Sequence, residues 1–123
     1  MKILIVEDEK VMYNTMRHLL EDEGYEVTIA TDGLAALGAI NSKKVDLIIT
    51  DIMMPNLSGT ELSNTYKGRL FQDTPVIVIS AMDSYDVQYF ANTIGASAYL
   101  VKPFSGKELL EKVKESLEVT NKT

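Results

Sequence analysis

Five short segments rich in apolar residues, each followed by apolar residues at helical spacing, constrain the fold of this chain most strongly. The first, third and fourth segments are the most apolar, as strands buried on both faces of a sheet are. Strands that alternate with helices favour a parallel sheet with helices packed on both faces. We therefore predict an α/β fold, a (βα)5 doubly wound parallel sheet. Its strands are predicted over residues 2–6, 25–30, 45–50, 75–80 and 98–101.

The five predicted helices follow from apolar residues at intervals of three and four and from residues typical of helix ends. Asp32 is placed to cap the second helix, and Ser105 with Glu108 matches a capping box at the start of the fifth. Gly24 and Gly95 are expected to end the first and fourth helices. The apolar faces consist, in chain order, of Val11, Met12, Met16, Leu19 and Leu20; Leu34, Leu37 and Ile40; Leu62, Tyr66 and Leu70, in a helix over about 59–71; Val87, Phe90, Ala91 and Ile94; and Leu109, Leu110, Val113 and Leu117.

Size and composition exclude several classes of function. The 123 residues are enough for one domain, predicted over residues 1–119 with a frayed tail over 120–123. The net charge of −6 and the lack of a Lys/Arg run argue against direct binding to nucleic acid. The absence of cysteine excludes disulfides and thiolate metal sites. No segment is long and apolar enough for a signal-peptide core or a membrane span, so a cytoplasmic protein is the expectation.

Polar and charged residues stand at the ends of four predicted strands. Glu7 and Asp8 follow the first strand, Asp51 follows the third, Ser80 ends the fourth and Lys102 follows the fifth. Because ligands of open parallel sheets bind beyond the carboxyl ends of the strands, we expect these side chains on one rim. Three carboxylates there repel each other unless a cation is close or one carboxyl stays protonated. Lys102 provides one charge, and a hard divalent ion such as Mg²⁺ would supply more, whereas a single histidine and no cysteine disfavour zinc.

Each of these residues also has an ordinary structural interpretation. Asp51 alone could cap the following turn, and Asp8 directly precedes the first predicted helix and could cap it. Ser80 could simply end its strand, and Lys102 with Pro103 could form a plain turn. The functional interpretation rests on the four strand ends taken together.

Four stretches in this order resemble the receiver domain of two-component response regulators, the group that includes the chemotaxis regulator. They are "ILIVEDE", "DLIITDIMMPNLSG", "PVIVISA" and "GASAYLVKPF", and each lies at a predicted strand end. The resemblance extends from residue 2 to about 117. It implies the flavodoxin-like strand order 2-1-3-4-5.

The resemblance implies a phosphorylation site. Asp51 would be the phosphoacceptor, receiving a phosphoryl group from a histidine kinase, a phosphotransfer protein or a small phosphodonor. Mg²⁺ would be held by Glu7, Asp8, Asp51 and the backbone carbonyl of Met53. The family more often has two aspartates where this chain has Glu7 and Asp8, which leaves Asp8 as the expected direct contact. A metal ion suits this site because phosphoryl transfer depends mainly on positioning the reacting groups and neutralising their charge.

The resemblance also implies a switch. Ser80 would donate its hydroxyl to one phosphoryl oxygen, and Lys102 would bind another. Tyr99 would change its side-chain position with Ser80, and Pro103 would follow a cis peptide bond. The face formed by the fourth predicted helix, the fifth strand and the fifth predicted helix would then bind a protein partner, or a second copy of the chain, differently. The chain would catalyse only its own phosphoryl transfer and dephosphorylation.

Met53 and Met82 stand two residues after Asp51 and Ser80, at positions that tune dephosphorylation in this family. Both are apolar and neither can orient a water molecule. We therefore expect a long-lived phosphoryl group.

Several alternatives remain open on sequence grounds. A small aspartyl-phosphate phosphohydrolase typically has a second aspartate where this chain has Met53, and methionine cannot act as an acid or base. A nucleotide or flavin binder would need a glycine-rich loop after the first strand, where this chain has "VEDEKV". A degenerate receiver would bind partners without phosphorylation, and the intact set of Asp8, Asp51, Ser80 and Lys102 argues against it. The chain could also be the receiver fragment of a longer regulator with a DNA-binding or enzymatic output domain. Ser97-Ala98 replaces the acidic pair common in DNA-binding regulators, which favours a stand-alone or differently dimerising receiver.

Overall fold

A parallel five-stranded sheet with strand order 2-1-3-4-5 forms the centre of the molecule. The computed structural model describes residues 1–42, 45–51, 74–81, 88–89, 91–92 and 95–121. The strands are β1 (Lys2–Val6), β2 (Glu26–Ala30), β3 (Leu47–Asp51), β4 (Val76–Ser80) and β5 (Ala98–Val101). All four neighbouring pairs are parallel. The predicted α/β fold and strand order are confirmed.

Three helices have described bounds: α1 (Lys10–Asp22), α2 (Gly33–Ser42) and α3 (Gly106–Asn121). Helix α3 is the fifth helix of the predicted alternation, and it continues two residues into the segment predicted as a tail. The predicted third helix, over 59–71, lies outside the described residues. Residues 88–89 and 91–92 are helical, within the predicted fourth helix. Within the described part of the chain, no helix combines the length and apolar character needed to cross a bilayer.

Capping residues start two of the helices as predicted. The Oδ1 atom of Asp32 accepts a hydrogen bond of 2.7 Å from the backbone N–H of Ala35, which satisfies one of the unpaired donors of α2. The hydroxyl oxygen of Ser105 accepts a bond of 3.1 Å from the N–H of Glu108, and its hydroxyl donates to the Glu108 carboxylate at 3.4 Å. Ser105 therefore caps α3 as predicted, while the Glu108 carboxylate bonds to the Ser105 hydroxyl and not to its backbone N–H, so one half of the predicted capping box is formed.

The two ends of α1 differ in how well the sequence predicted them. Gly24 has a φ of 93°, a left-handed conformation that costs glycine little, and it ends the helix as predicted. The prediction that Asp8 could cap this helix is wrong, because the N-cap residue is Glu9 and it makes no side-chain capping hydrogen bond. The carboxylate of Asp8 is thereby left for other interactions.

Two apolar clusters lie on opposite faces of the sheet, because successive residues of a strand point to opposite sides. In β1, Ile3 and Ile5 belong to the cluster that α1 and α3 cover, whereas Leu4 and Val6 belong to the cluster on the α2 side. All five residues of β3 and of β4 are buried. The larger cluster comprises Ile3, Ile5, Met16, Leu20, Leu47, Ile49, Ile77, Ile79, Leu100, Leu109, Val113 and Leu117. Central strands buried on both faces hold the carboxyl rim rigidly.

Two residues assigned to apolar helix faces are exposed. Val11 is 73% exposed and Leu34 is 60% exposed. Each lies on the solvent side of its helix: Val11 is on the side of the exposed residue Thr15, whereas Met12 in the same turn packs against the larger cluster. Leu34 is on the side of the exposed residue Gly38, whereas Ala36 in the same turn is buried. The prediction that these two residues join the core is wrong.

Candidate functional site

The register of the sheet brings Glu7 and Asp51 side by side. Val6 pairs with Thr50 across β1 and β3, so the residues that follow each of them emerge at the same level. Strand β3 runs one residue further than predicted and ends with Asp51 itself, paired with Ile79 of β4. The Asp51 carboxylate therefore projects from the last position of a buried strand, as the sequence pattern indicated.

Ser80 and Lys102 reach the same rim through β4 and β5. Ser80 is the last residue of β4 and pairs with Val101, which places Lys102 one residue beyond the end of β5. The backbone N–H of Lys102 donates a hydrogen bond of 2.7 Å to the carbonyl oxygen of Ser80. The peptide bond between Lys102 and Pro103 is cis, as predicted. This backbone hydrogen bond holds Lys102 next to β4 independently of any contact that its side chain makes.

The ammonium group of Lys102 bridges two carboxylates. Its Nζ atom lies 2.8 Å from Oε2 of Glu7 and 2.8 Å from Oδ2 of Asp51. The side chains of Glu7, Asp51 and Lys102 are 0%, 8% and 13% exposed. Charged groups at such burial are tolerated when they are paired and hydrogen-bonded, and these three satisfy both conditions.

Burial and pairing act on the protonation of this group in opposite directions. Burial raises the pKa of Glu7, and the hydrogen bond from Lys102 only partly opposes this effect. Burial alone lowers the pKa of Lys102, but its hydrogen bonds to Asp51 and Glu7 outweigh that effect, so the pKa lies above its ordinary value. Lys102 is therefore a permanent cation of the rim at neutral pH.

Three carboxylates of the rim could hold a metal ion. One oxygen from each of Glu7, Asp8 and Asp51 lies within 4.8 Å of the others. Oxygen donors alone suit a hard cation, and a site with few carboxylates open to water suits Mg²⁺. Asp8 is exposed whereas the other two are buried, so the cluster is open on one side. The donor set fits Mg²⁺, while the Met53 carbonyl lies outside the described residues.

The remaining predicted site residues lie as follows. The side chain of Ser80 is fully buried at the rim. Tyr99 is half-buried in β5, an edge strand, and packs against the apolar cluster on the α2 side. Pro103 is exposed directly after Lys102. Met82, like Met53, lies outside the described residues.

Two residues contribute contacts that the sequence analysis did not assign. The backbone N–H of Glu9 donates to Oε1 of Glu7 at 3.1 Å. The hydroxyl of Thr50, which is buried, donates to the carbonyl oxygen of Asp51 at 3.2 Å. Thr50 was visible as a polar residue at the end of an apolar segment, but nothing in the sequence indicated the backbone contact of Glu9.

Comparison with known proteins shows which family this chain resembles. Residues 3–114 match the family model described as the response regulator receiver domain. The chain is 36% identical over 115 residues to the sensory transduction protein RegX3 of Mycobacterium tuberculosis, covering 94% of this chain and 50% of RegX3. It is likewise 36% identical over 119 residues to the response regulator MprA of the same species, covering 97% and 51%. The chain spans about half the length of the curated relatives it matches.

Solved structures of receiver domains are also similar to this chain. The CheY-like response regulator receiver domain protein of Methanospirillum hungatei has a TM-score of 0.91 and 35% identity, with 98% of this chain and 96% of that chain covered. The receiver domain of the sensor histidine kinase PA1611 of Pseudomonas aeruginosa, described with a magnesium ion coordinated in its active site cleft, has a TM-score of 0.85 and 26% identity, covering 95% and 97%. The chain therefore belongs to the response regulator receiver domain family of two-component signalling systems.

Proposed function

We propose that Asp51 accepts a phosphoryl group from a histidine kinase, a phosphotransfer protein or a small phosphodonor in a Mg²⁺-dependent reaction. The observation that carries this proposal is the position of the Asp51 carboxylate. It ends a buried strand, one of its oxygens lies 2.8 Å from the Lys102 ammonium, and it shares the rim with two further carboxylates. A carboxylate held this rigidly next to positive charge suits a nucleophile that attacks phosphorus.

In the transfer, a carboxylate oxygen of Asp51 forms a bond to phosphorus while the bond from phosphorus to the donor's leaving atom breaks. The transition state is loose, so the protein contributes mainly position and charge. When bound by Asp8, Asp51, Glu7 and the Met53 carbonyl, Mg²⁺ supplies positive charge to the phosphoryl oxygens. Lys102 binds a phosphoryl oxygen through the ammonium that now contacts Asp51. The hydroxyl of Ser80, at the neighbouring strand end, donates a hydrogen bond to another.

Phosphorylation then shifts the population between two states of the domain. Ser80 moves toward the phosphoryl group, and the half-buried side chain of Tyr99 changes its position in response. The face that includes β5 and α3, with the predicted fourth helix, consequently binds a protein partner or a second copy of the chain with altered affinity. The location of Tyr99 on an edge strand supports this role, because it pairs with Val78, two residues before Ser80 on the neighbouring strand.

The lifetime of the phosphoryl group is part of the proposal. Met53 and Met82 offer no group that orients an attacking water, so dephosphorylation is slow and the switch holds its state. The chain acts as a switch that catalyses only its own phosphorylation and dephosphorylation.

The proposal is tested by the mass of the intact protein after incubation with acetyl phosphate and Mg²⁺. We expect a gain of one phosphoryl group, which is lost in Asp51→Ala and in the presence of a chelator. Asp22→Ala is the matched control, because Asp22 is an exposed aspartate at the end of α1, away from the rim, and should leave the gain intact. A folded wild-type protein that gains no mass would contradict the proposal.

A further inference from the structure

A cleft of about 400 Å³ lies between α1 and α3, and none of the described residues that line it belongs to the carboxyl rim. Its floor consists of Leu19, Tyr25 and Leu110, which are half-buried and pack against the larger apolar cluster. Pockets that bind small molecules typically have volumes of about 300–1,000 Å³ and mostly apolar walls. The cleft is therefore large enough for a small ligand with an apolar body, and the core holds its floor in place.

Charged side chains of both signs surround this floor. Lys107, Glu111 and Lys114 lie on one side of α3, because residues three, four and seven positions apart share a helix face. Glu23, the C-cap residue of α1, contributes a carboxylate from the other wall. These four residues are exposed, and none of them forms an ion pair with a residue that the structure describes. A charged ligand can therefore contact them without displacing an internal partner.

The order of the charges along α3 limits the type of ligand. Lys107 stands one helical turn before Glu111, which is the weaker order for an ion pair on a helix because it opposes the helix dipole. The Cβ atoms of residues with this spacing lie about 5–6 Å apart. A molecule that carries an ammonium and a carboxylate on one carbon can bridge two such side chains and satisfy both charges. A ligand with a single charge would be attracted by one of these side chains and repelled by the other.

We propose that this cleft binds a free α-amino acid with a large apolar side chain, such as phenylalanine. The carboxylate of the ligand contacts Lys107, in the first turn of α3, where the helix dipole also favours an anion. Its ammonium contacts Glu111 and, across the cleft, Glu23. Its apolar side chain covers the floor of the cleft. This binding site is separate from the proposed phosphorylation site, and its occupation requires neither a metal ion nor a phosphoryl group.

The first test is an NMR titration of the unphosphorylated protein, labelled with nitrogen-15 and with a chelator present. The probes are phenylalanine, 3-phenylpropionate, which lacks the ammonium, phenethylamine, which lacks the carboxylate, and alanine, which lacks the ring. For a molecule of this size we expect phenylalanine to bind with a dissociation constant on the order of 1 mM. Each of the other three should bind at least about tenfold more weakly.

The positions of the shifted signals locate the site in the same titration. The backbone amide signals of Leu19, Tyr25 and Leu110 should move, whereas those of Asp51 and Lys102 at the rim should stay in place. Absence of shifts at the cleft up to about 10 mM phenylalanine would overturn the proposal. Equal affinity for phenylalanine and any one of the three analogues would overturn it as well, because each analogue lacks one group that the cleft is proposed to recognise.

The second test exchanges single charges on α3. Lys107→Gln and Glu111→Gln should each weaken phenylalanine binding about threefold to tenfold. The matched controls are Lys112→Gln and Glu115→Gln, since these residues form their own pair on the same helix, at exposures of 40% and 64%, and do not line the cleft. The controls should stay within about twofold of the wild type.

The analogues separate a charge contact from a general disturbance of the helix. Glu111→Gln should weaken phenylalanine binding but leave 3-phenylpropionate binding unchanged or tighter, because a repelling carboxylate has gone. Lys107→Gln should act in the same way on phenethylamine. Equal losses in the cleft variants and the controls would contradict the assignment of these residues, and so would a Glu111→Gln protein that loses phenylalanine and 3-phenylpropionate to the same extent.

Discussion

Replacement of Lys102 by methionine should destabilise the metal-free protein at neutral pH by about 3 kcal/mol. The substitution removes an ammonium that lies 2.8 Å from each of two carboxylates, those of Glu7 and Asp51. Methionine fills a similar volume without charge, so the loss reports the ion pairs more than the packing. Both carboxylates would then remain almost fully buried without a cation.

The magnitude follows from burial. A pair of unit charges about 4 Å apart attracts by roughly 4 kcal/mol at an effective dielectric constant of about 20, and two such contacts are lost. The substitution also removes the cost of several kcal/mol for taking the ammonium out of water, and this offsets part of the lost attraction. Removal of one partner from a buried pair typically costs about 3–5 kcal/mol. We expect a loss at the lower end of this range, because burial raises the pKa of Glu7 and protonation of this carboxyl relieves part of its repulsion with Asp51.

The assay is urea unfolding followed by far-UV circular dichroism, with a chelator and then with Mg²⁺. Lys112→Met is the control, because Lys112 forms a pair of 3.7 Å with Glu115 at exposures of 40% and 64%. Such surface pairs contribute about 0–1 kcal/mol, so this variant should unfold almost like the wild type. Mg²⁺ at about 100 times its dissociation constant stabilises the native state by about 2.7 kcal/mol, and it should narrow the deficit of the Lys102 variant by binding that variant more tightly. The reasoning would be refuted if Lys102→Met and Lys112→Met lowered the free energy of unfolding by amounts within about 0.5 kcal/mol of each other. It would also be refuted if Mg²⁺ left the deficit of Lys102→Met unchanged.

The remaining predictions concern the core, a helix cap and the lifetime of the switch. Ile49→Ala should cost about 4 kcal/mol in urea unfolding, because Ile49 is 0% exposed in the central strand β3, whereas Val11→Ala, at 73% exposure, should change stability by less than about 0.5 kcal/mol. Asp32→Ala should cost about 1 kcal/mol through loss of the α2 cap, and an unchanged midpoint would contradict this. The phosphorylated protein should lose its phosphoryl group slowly in intact-mass measurements over time, and Met53→Asn, which adds a group able to orient water, should shorten that lifetime. Rapid loss from the wild type, at a site that Asp51→Asn removes, would refute the lifetime prediction.

Local signals predicted much of the fold because their causes lie within a few residues. The cap of α2 by Asp32 and the cap of α3 by Ser105 depend on side chains reaching backbone groups three residues away. Gly24 ends α1 because its own φ of 93° is left-handed. The predicted strands agree with the observed ones to within two residues at their ends. The alternation of strands and helices was enough to predict a parallel sheet, since such connections leave few other arrangements.

Other features depend on how the helices lie against the sheet and where they begin, and no local pattern shows this. Val11 and Leu34 are apolar but lie on the solvent sides of α1 and α2, so they are exposed although Met12 and Ala36 in the same turns pack against the core. Asp8 resembles a helix cap in sequence, yet α1 begins two residues later, after Glu9 as the N-cap. An apolar residue type does not show which side of a helix meets the sheet, and a capping residue type does not fix the position at which the helix starts.

For the functional site, the sequence by itself determined which chemical groups stand at the strand ends: carboxylates at Glu7, Asp8 and Asp51, and an ammonium at Lys102. Only the tertiary structure decided how those groups divide their roles. The pairing of Lys102 with Glu7 joins residues 95 positions apart, and it depends on β1, β3, β4 and β5 lying side by side in one register. Burial then separates two adjacent acids, because Glu7 is enclosed with both oxygens bonded while Asp8 faces water. A residue type states what chemistry is possible, whereas burial and partners, which are set by distant parts of the chain, decide which of those possibilities has the lowest free energy.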